Sequence, residues 1–190
     1  MPREDFIEIR NLEKVEKLLK DIPNGVERAT SSAINRSLVT LKRDIKKEVT
    51  DNYGIKASDV EKAMVTQKAT WTSLRGNIRS KSPLLSLHKF LNSTNDDEIY
   101  VLVKKIDGKR KVQGKKNLKG QPFIARMMNG HKGIFQRKEN RKIEELKTLS
   151  IPQMLGSKTI MEYIKNSGKV DDILEKNLER EINRILKGHV

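Results

Sequence analysis

The chain has 190 residues, with 40 Lys and Arg against 25 Asp and Glu, so its formal net charge is +15. Hydrophobic residues make up 35% and aromatic residues 4%, which predicts a modest aliphatic core in one domain with appendages or in two small domains. There is no cysteine, signal peptide or apolar run near the ~20 residues of a membrane span. We therefore expect a soluble protein made in a reducing cytoplasm, without disulfides, a thiolate zinc site or a membrane partner.

The N-terminal quarter has helical periodicity. Leu12, Val15, Leu18 and Leu19 predict a short amphipathic helix that ends near Pro23, so residues 1–24 are expected to form an N-terminal helical extension. A longer helix is predicted from about Val26 to Asn52, with apolar residues on one face: Val26, Ala29, Ala33, Ile34, Leu38, Leu41, Ile45 and Val49. Ser58 is then expected to cap a short helix to about Met64.

The middle of the chain has the composition of strands. Residues 65–80 are rich in Thr, Val and Ile and predict a strand that Gly76 interrupts, as at a bulge or a close approach. Ile99 to Val103 is the best candidate for a central strand, and Asp107-Gly108 predicts a turn into residues 109–113. Residues 123–128 and 133–137 predict a second hairpin. We expect one meander-like antiparallel sheet in a domain spanning residues 25–156.

The last part of the chain is again helical. Ser157 is expected to cap a helix that continues through Lys165 and ends at Gly168. A regular apolar stripe from Val170 to Leu186 predicts a final amphipathic helix, and residues 157–190 are expected to pack on the domain. Helices at both ends and strands between them indicate the α+β class.

No pattern in the sequence indicates catalysis. The histidines His88, His131 and His189 lie in three different contexts, without a second ligand at metal-binding spacing. Residues 96–98 are acidic but lack the alternating ligands of a calcium loop, which favours a solvated turn. There is no phosphate-binding loop, dinucleotide fingerprint or nucleophile elbow. We predict a protein that is not an enzyme and has no cofactor.

The positive charge is concentrated in a lysine-rich loop at residues 104–120. Its cationic residues are Lys104, Lys105, Lys109, Arg110, Lys111, Lys115, Lys116 and Lys119. Such a cluster can neutralise phosphates without reading sequence, or it can dock on an acidic protein neighbour, or remain solvated. It contains no aromatic residue that would stack on bases. A helix-turn-helix needs two short helices joined by a tight turn, whereas the long basic helix here leads into a strand region.

Several segments in a fixed order carry a resemblance to a known family. The long helix opens with Ala29-Thr30-Ser31-Ser32-Ala33-Ile34-Asn35-Arg36 and is followed by Tyr53-Gly54-Ile55; further along come Pro122-Phe123-Ile124-Ala125, then Gly130-His131-Lys132-Gly133-Ile134-Phe135-Gln136-Arg137, and then Ile151-Pro152-Gln153-Met154. With the final helix, this pattern over roughly residues 25–187 resembles phage minor tail protein Z. The link between the central strand and Phe123 is longer here than is usual in that family.

The resemblance implies a virion component of a phage or prophage, at the tail or at the neck where the tail meets the head. It implies other tail or neck proteins as partners, a homo-oligomeric ring, and a role in tail completion or head–tail joining. Arg36 and Arg137 then become candidates for salt bridges between subunits, together with Lys104, Lys105, Lys109, Arg110, Lys111, Lys115 and Lys116. The alternative is a basic, sequence-independent DNA-binding protein of a mobile element, and a transient contact with DNA is compatible with both interpretations.

Overall fold

The longest element is helix α1, Gly25–Asn52. The computed structural model describes residues 17–20, 22–95, 98–138, 142–166 and 168–188. The predicted helix from Val26 to Asn52 is confirmed. Of the short helix predicted before it, residues 17–19 are helical, and the remainder lies outside the described residues. The N-terminal extension over residues 1–24 therefore stays a prediction.

The chain forms two compact units. The helical unit comprises the described residues of Met1–Ile45, Met64–Arg79 and Met161–Val190, and the β unit comprises those of Lys46–Ala63 and Ser80–Ile160. Each unit contains residues that are distant in sequence. The domain boundaries predicted at residues 24 and 156 remain predictions.

The core of the helical unit lies between helix α1 and the last helix of the described chain. The buried residues that form it are Leu19, Ala29, Ala33, Leu174, Leu178, Ile182 and Ile185. Ala29 and Ala33 are fully buried, and their small side chains let a second helix approach closely. The aliphatic stripes seen in the sequence on both helices therefore pack against each other.

Two short strands replace the single strand predicted over residues 65–80. Strand β1 is Met64–Gln67 and strand β2 is Asn77–Ser80, and they pair as a two-stranded sheet. A Cβ atom on Gly76 would lie 2.6 Å from Leu38 Cδ1 and 2.9 Å from Ile34 Cγ2, so the predicted close approach at this glycine is confirmed.

The loop between β1 and β2 is fixed to helix α1 by one side chain. The Ala69 amide donates to Asn35 Oδ1 at 2.8 Å, and Asn35 Nδ2 donates to the Ala69 carbonyl at 3.0 Å. The Thr70 and Ser73 backbones then bond to each other across a tight turn. Trp71 lies in this turn and is 64% exposed, so an anchored loop holds the protein's single tryptophan outward.

The β unit contains two three-stranded antiparallel sheets. The first has the order β3 (Leu91–Asn95), β4 (Glu98–Val101) and β5 (Arg110–Lys111), and the second has the order β6 (Lys119–Arg126), β7 (Lys132–Arg137) and β8 (Ile143–Glu145). The α+β class, the central position of the strand at residues 99–101 and both predicted hairpins are confirmed. Strands β3 and β8 were not predicted.

The expected single meander is divided because β5 does not pair with β6. The Lys115 amide donates to Gln136 Oε1 at 2.7 Å, and Gln136 Nε2 donates to the Gly120 carbonyl at 3.0 Å. Gln136 is buried, and its side chain bonds to the backbone where the pairing of β6 with β7 is irregular, between Lys119 and Phe123.

The helices after α1 differ little from those predicted. Helix α2 is Ala57–Ala63, so Ser58 lies inside it and is not its cap, and the Lys56 carbonyl accepts from the Asp59 and Val60 amides instead. Helices α4 (Lys158–Asn166) and α5 (Lys169–Lys187) are confirmed, with Gly168 at φ +60° between them. The unpredicted helix α3 (Ile151–Leu155) begins with a capping box between Ser150 and Gln153.

Replacing Asn35 with Ala should destabilise the helical unit, because both backbone groups of Ala69 lose their partner. We expect a loss of about 1–3 kcal/mol in the free energy of unfolding, as for a partly buried polar group left unsatisfied. Urea denaturation measures the loss, and a fall in Trp71 fluorescence anisotropy should accompany it. Asn117→Ala, at an exposed position, is the matched control; equal stability of the two variants would contradict the anchoring role of Asn35.

Candidate interaction surfaces

The lysine-rich loop is held to the β unit at several points. Residues 105–107 form a 3₁₀ turn, and Gly108 follows at φ +68° and leads into strand β5. Gly114 lies against the amide of Gln136, where a Cβ atom would come within 2.4 Å of Nε2. The basic loop predicted from the sequence therefore has a defined backbone conformation at the surface.

Three of its cationic side chains are engaged within the chain. Arg110 contacts Asp107 at 3.2 Å, Lys111 contacts Glu98, and Lys115 contacts Glu144 at 2.5 Å. The hydrogen bond from Lys111 lowers the pKa of Glu98, and a second bond from Tyr100 adds to the effect. Lys115, and then Lys138, lower the pKa of Glu144 from 4.5 to about 2. These pairs fix the loop and neutralise part of its charge.

Four further cations of the loop point outward. Lys104, Lys105, Lys109 and Lys116 are exposed and make no side-chain ion pair with any residue that the structure describes. Ile106, between two of these lysines, is 92% exposed. The loop thus presents four exposed ammonium groups without a described ion-pair partner, and one exposed apolar side chain.

A second basic surface lies on the helical unit, where Arg36 of helix α1 meets the outer face of helix α5. It is an open groove of about 530 Å³, lined by Arg36, Lys176, Glu179, Arg180, Asn183, Arg184 and Lys187. Arg36 is predicted as a contact residue from the sequence, whereas the basic residues of α5 were not predicted. The signal was present, since Lys176, Arg180 and Arg184 repeat at intervals of four, which places them on one face of a helix.

Glu181 lies beneath this groove and is completely buried. Its carboxylate contacts Arg36 Nε, and Arg184 donates to it through Nη2 at 2.8 Å and Nε at 2.9 Å. A buried charge requires a partner, because removal of its hydration is unfavourable. Arg36 is 46% exposed, so its guanidinium bridges the buried carboxylate and the groove.

Arg137 and His131 lie on the second sheet of the β unit. The Arg137 guanidinium lies over the Phe123 ring, 5.4 Å from its centre, in a cation–π contact. His131 Nε2 lies 2.7 Å from a Glu145 carboxylate oxygen, with its ring edge-on to Phe135. Within the β unit, Arg137 of strand β7 is the register partner of Lys119, so it lies beside the end of the lysine-rich loop.

The described residues contain no group of three or more His, Cys, Asp or Glu arranged to hold a metal ion. Two positions with metal-ligating residue types, His189 and Asp96-Asp97, lie outside the described residues. Within the described part of the chain, no helix is long and apolar enough to cross a membrane.

The Glu144 ion pairs predict a titration that NMR can observe. The Glu144 carboxyl should titrate with a midpoint near 2, and Lys115→Gln should raise that midpoint toward 4.5 because the main hydrogen bond to the carboxylate is lost. Because the folded-state pKa is lowered, the stabilisation is present above pH 4.5 and is lost as the pH falls toward 2. Lys116→Gln is the adjacent control, and an equal effect of both variants would contradict the pairing.

The buried carboxylate predicts that Arg36 contributes to stability. Arg36→Gln should lower the free energy of unfolding by about 1–3 kcal/mol, less than for a fully buried pair because Arg36 is half exposed and Arg184 remains. Chemical denaturation measures the loss. Arg28→Gln, at an exposed position on the same helix, should have little effect, and an equally small effect of Arg36→Gln would refute the role assigned to the ion pair.

A comparison with protein-family models matches residues 8–190 to the family described as Prophage minor tail protein Z (GPZ). Searches of curated proteins and of solved structures gave no match.

Proposed function

This chain belongs to the prophage minor tail protein Z family, and from that membership we propose that it acts in tail completion or head–tail joining. As a member of the family it is a structural protein of a bacteriophage or prophage tail. The proposed position is the neck end of the tail, and the proposed mode of action is ring-like self-assembly without catalysis. The observation that carries the proposal is the extent of the family match, which includes both compact units.

The charged surfaces support a role in binding other proteins. The lysine-rich loop presents both exposed ammonium groups and the exposed Ile106, a combination suited to a protein surface that has both carboxylates and an apolar contact. The groove on helix α5 presents guanidinium groups, which bind carboxylates through two parallel hydrogen bonds. We propose other tail or neck proteins, or further copies of this chain, as the partners of these surfaces.

We propose Arg36 and Arg137 as subunit contacts, and each of them also has a partner within the chain. Arg36 has one face on Glu181, so only its exposed part is available to a neighbouring subunit. Arg137 is held above Phe123, which orders the guanidinium before a partner arrives and lowers the entropy cost of binding.

Contact with DNA is the second candidate function. It is favoured by the four outward-pointing lysines of the loop, because phosphate binding requires cations that are not already neutralised. Binding of this kind would be independent of sequence and would weaken steeply as salt increases. We propose this DNA contact as a transient one, made during DNA passage. We also propose that the chain is synthesised in the bacterial host cytoplasm and assembles in the virion tail.

Tail particles provide the direct test. Lys104→Gln, Lys105→Gln and Lys109→Gln in one chain should reduce incorporation into purified tails while affinity for duplex DNA stays within about twofold, because the loop is proposed to bind protein. Quantitative mass spectrometry of particles and a salt titration of DNA binding give the two readouts. The control replaces Lys56, Lys62 and Lys68 with Gln, which removes the same charge from other exposed positions.

The two proposed functions give opposite results in this experiment. Normal incorporation with DNA affinity reduced about tenfold or more would support the DNA-binding function and contradict the protein contact of the loop. Absence of the unmodified chain from virions, together with salt-sensitive DNA binding by a monomer, would overturn the structural proposal altogether.

A further inference from the structure

Helix α5 carries two stripes of opposite charge with the same spacing. The acidic stripe is Asp171, Glu175 and Glu179, and the basic stripe is Lys176, Arg180 and Arg184. Successive members of each stripe are four residues apart, which is about 6 Å along a helix, so both stripes are about 12 Å long. All six side chains are exposed.

The two stripes are not arranged to neutralise each other within one molecule. Each basic residue follows an acidic residue by five positions, whereas side chains on a helix meet at spacings of three or four. Across the two stripes, the pair with such a spacing is Lys176 and Glu179, which are three positions apart. Asp171, Glu175 and Glu179 make no ion pair with any described residue, and neither do Lys176 and Arg180. Arg184 is the exception, since it contacts the buried Glu181.

Stabilisation of the isolated helix does not explain this pattern. The helix dipole favours acidic residues in the first turn and basic residues in the last, which accounts for Asp171 and Arg184. It does not account for Arg180 in the middle of the helix, whereas Lys176 follows Asp172 by four positions, a spacing at which opposite charges stabilise a helix. Like charges four residues apart also repel each other along each stripe, so both stripes are unfavourable for a chain that remains alone.

The shape of the surface supports a binding role for the basic stripe. Its residues line the open groove of about 530 Å³, together with Arg36, Asn183 and Lys187. Glu179 also lines this groove, and a carboxylate beside the cations repels a phosphate backbone but is compatible with the mixed charges of a protein surface. The groove thus favours a protein segment that can present cations beside its carboxylates over nucleic acid, whose backbone is uniformly anionic.

We propose that the acidic stripe of helix α5 on one copy of this chain docks in the basic groove of a second copy. The matched spacing lets Asp171 and Glu175 of one copy face cations of the other. Because two different patches meet, the contact is heterologous, and repetition of such a contact gives a ring when the rotation closes. This inference rests on the proposed ring-like assembly and identifies the surface responsible for it.

Charge reversal on each stripe tests the contact in the full chain. Asp171→Lys with Glu175→Lys, and separately Lys176→Glu with Arg180→Glu, should each weaken self-association by about tenfold or more, because like charges then face each other. A chain carrying all four substitutions should self-associate again, since the complementary charges have only exchanged sides. Arg36 and Arg184 are left unchanged because they hold Glu181.

Sedimentation velocity and native mass spectrometry at low and high salt measure the association, and circular dichroism checks that each variant is folded. Lys56→Glu with Lys62→Glu is the matched control and should self-associate like the unmodified chain. Increased salt should dissociate the unmodified oligomer, because exposed ion pairs are screened.

The inference is overturned if folded single-stripe variants associate normally, or if the four-substitution chain remains dissociated. Loss of duplex DNA binding by Lys176→Glu with Arg180→Glu, with association unchanged, would also overturn it and would identify a phosphate-binding groove. Failure of the proposed function is recognised separately, because the unmodified chain would then be monomeric and absent from purified tails.

Discussion

The burial of the Glu181 carboxylate is the constraint on which the helical unit depends. A carboxylate with no exposure must be neutralised, and Arg36 of helix α1 and Arg184 of helix α5 do this. The contact sits beside the aliphatic packing of Ala29 and Ala33 against helix α5. Aliphatic side chains tolerate small displacements, whereas an ion pair specifies which residues face each other. The carboxylate therefore fixes the register of the two helices, and that register forms the basic groove.

A comparable constraint operates in the β unit through the buried amide of Gln136. It accepts from the Lys115 amide and donates to the Gly120 carbonyl, and so satisfies backbone groups at the end of the lysine-rich loop. The loop can leave the sheet because one side chain supplies its hydrogen bonds. Lys115 is then held near Glu144, and Lys104, Lys105, Lys109 and Lys116 are exposed. In both units, one buried polar residue bonds to residues of the basic surface and holds them in place.

The charged residues consequently divide into two classes that composition cannot distinguish. Arg36, Arg184, Arg110, Lys111 and Lys115 have partners within the chain, whereas Lys104, Lys105, Lys109, Lys116, Lys176 and Arg180 make no ion pair with a described residue. Ion pairs in the first class stabilise or order the fold. Cations in the second class are available to partners, which is the property a tail protein requires when it assembles with neighbouring subunits.

The sequence by itself determined the elements whose cause is local. Helical periodicity predicted α1 and α5, because the apolar spacing of a helix reports which face is buried. A short run that is apolar on both faces at Ile99 predicted the central strand β4. An ordered series of motifs was enough to indicate the tail protein family. Tertiary structure alone decided that the expected single sheet is divided, since Gln136 meets a loop sixteen or more residues away. It also decided that Arg36 pairs with a glutamate 145 positions later and that the basic residues of α5 form a groove with it. An ion pair between distant residues leaves no periodic pattern in a sequence, because its energy depends on burial that only the packed chain creates.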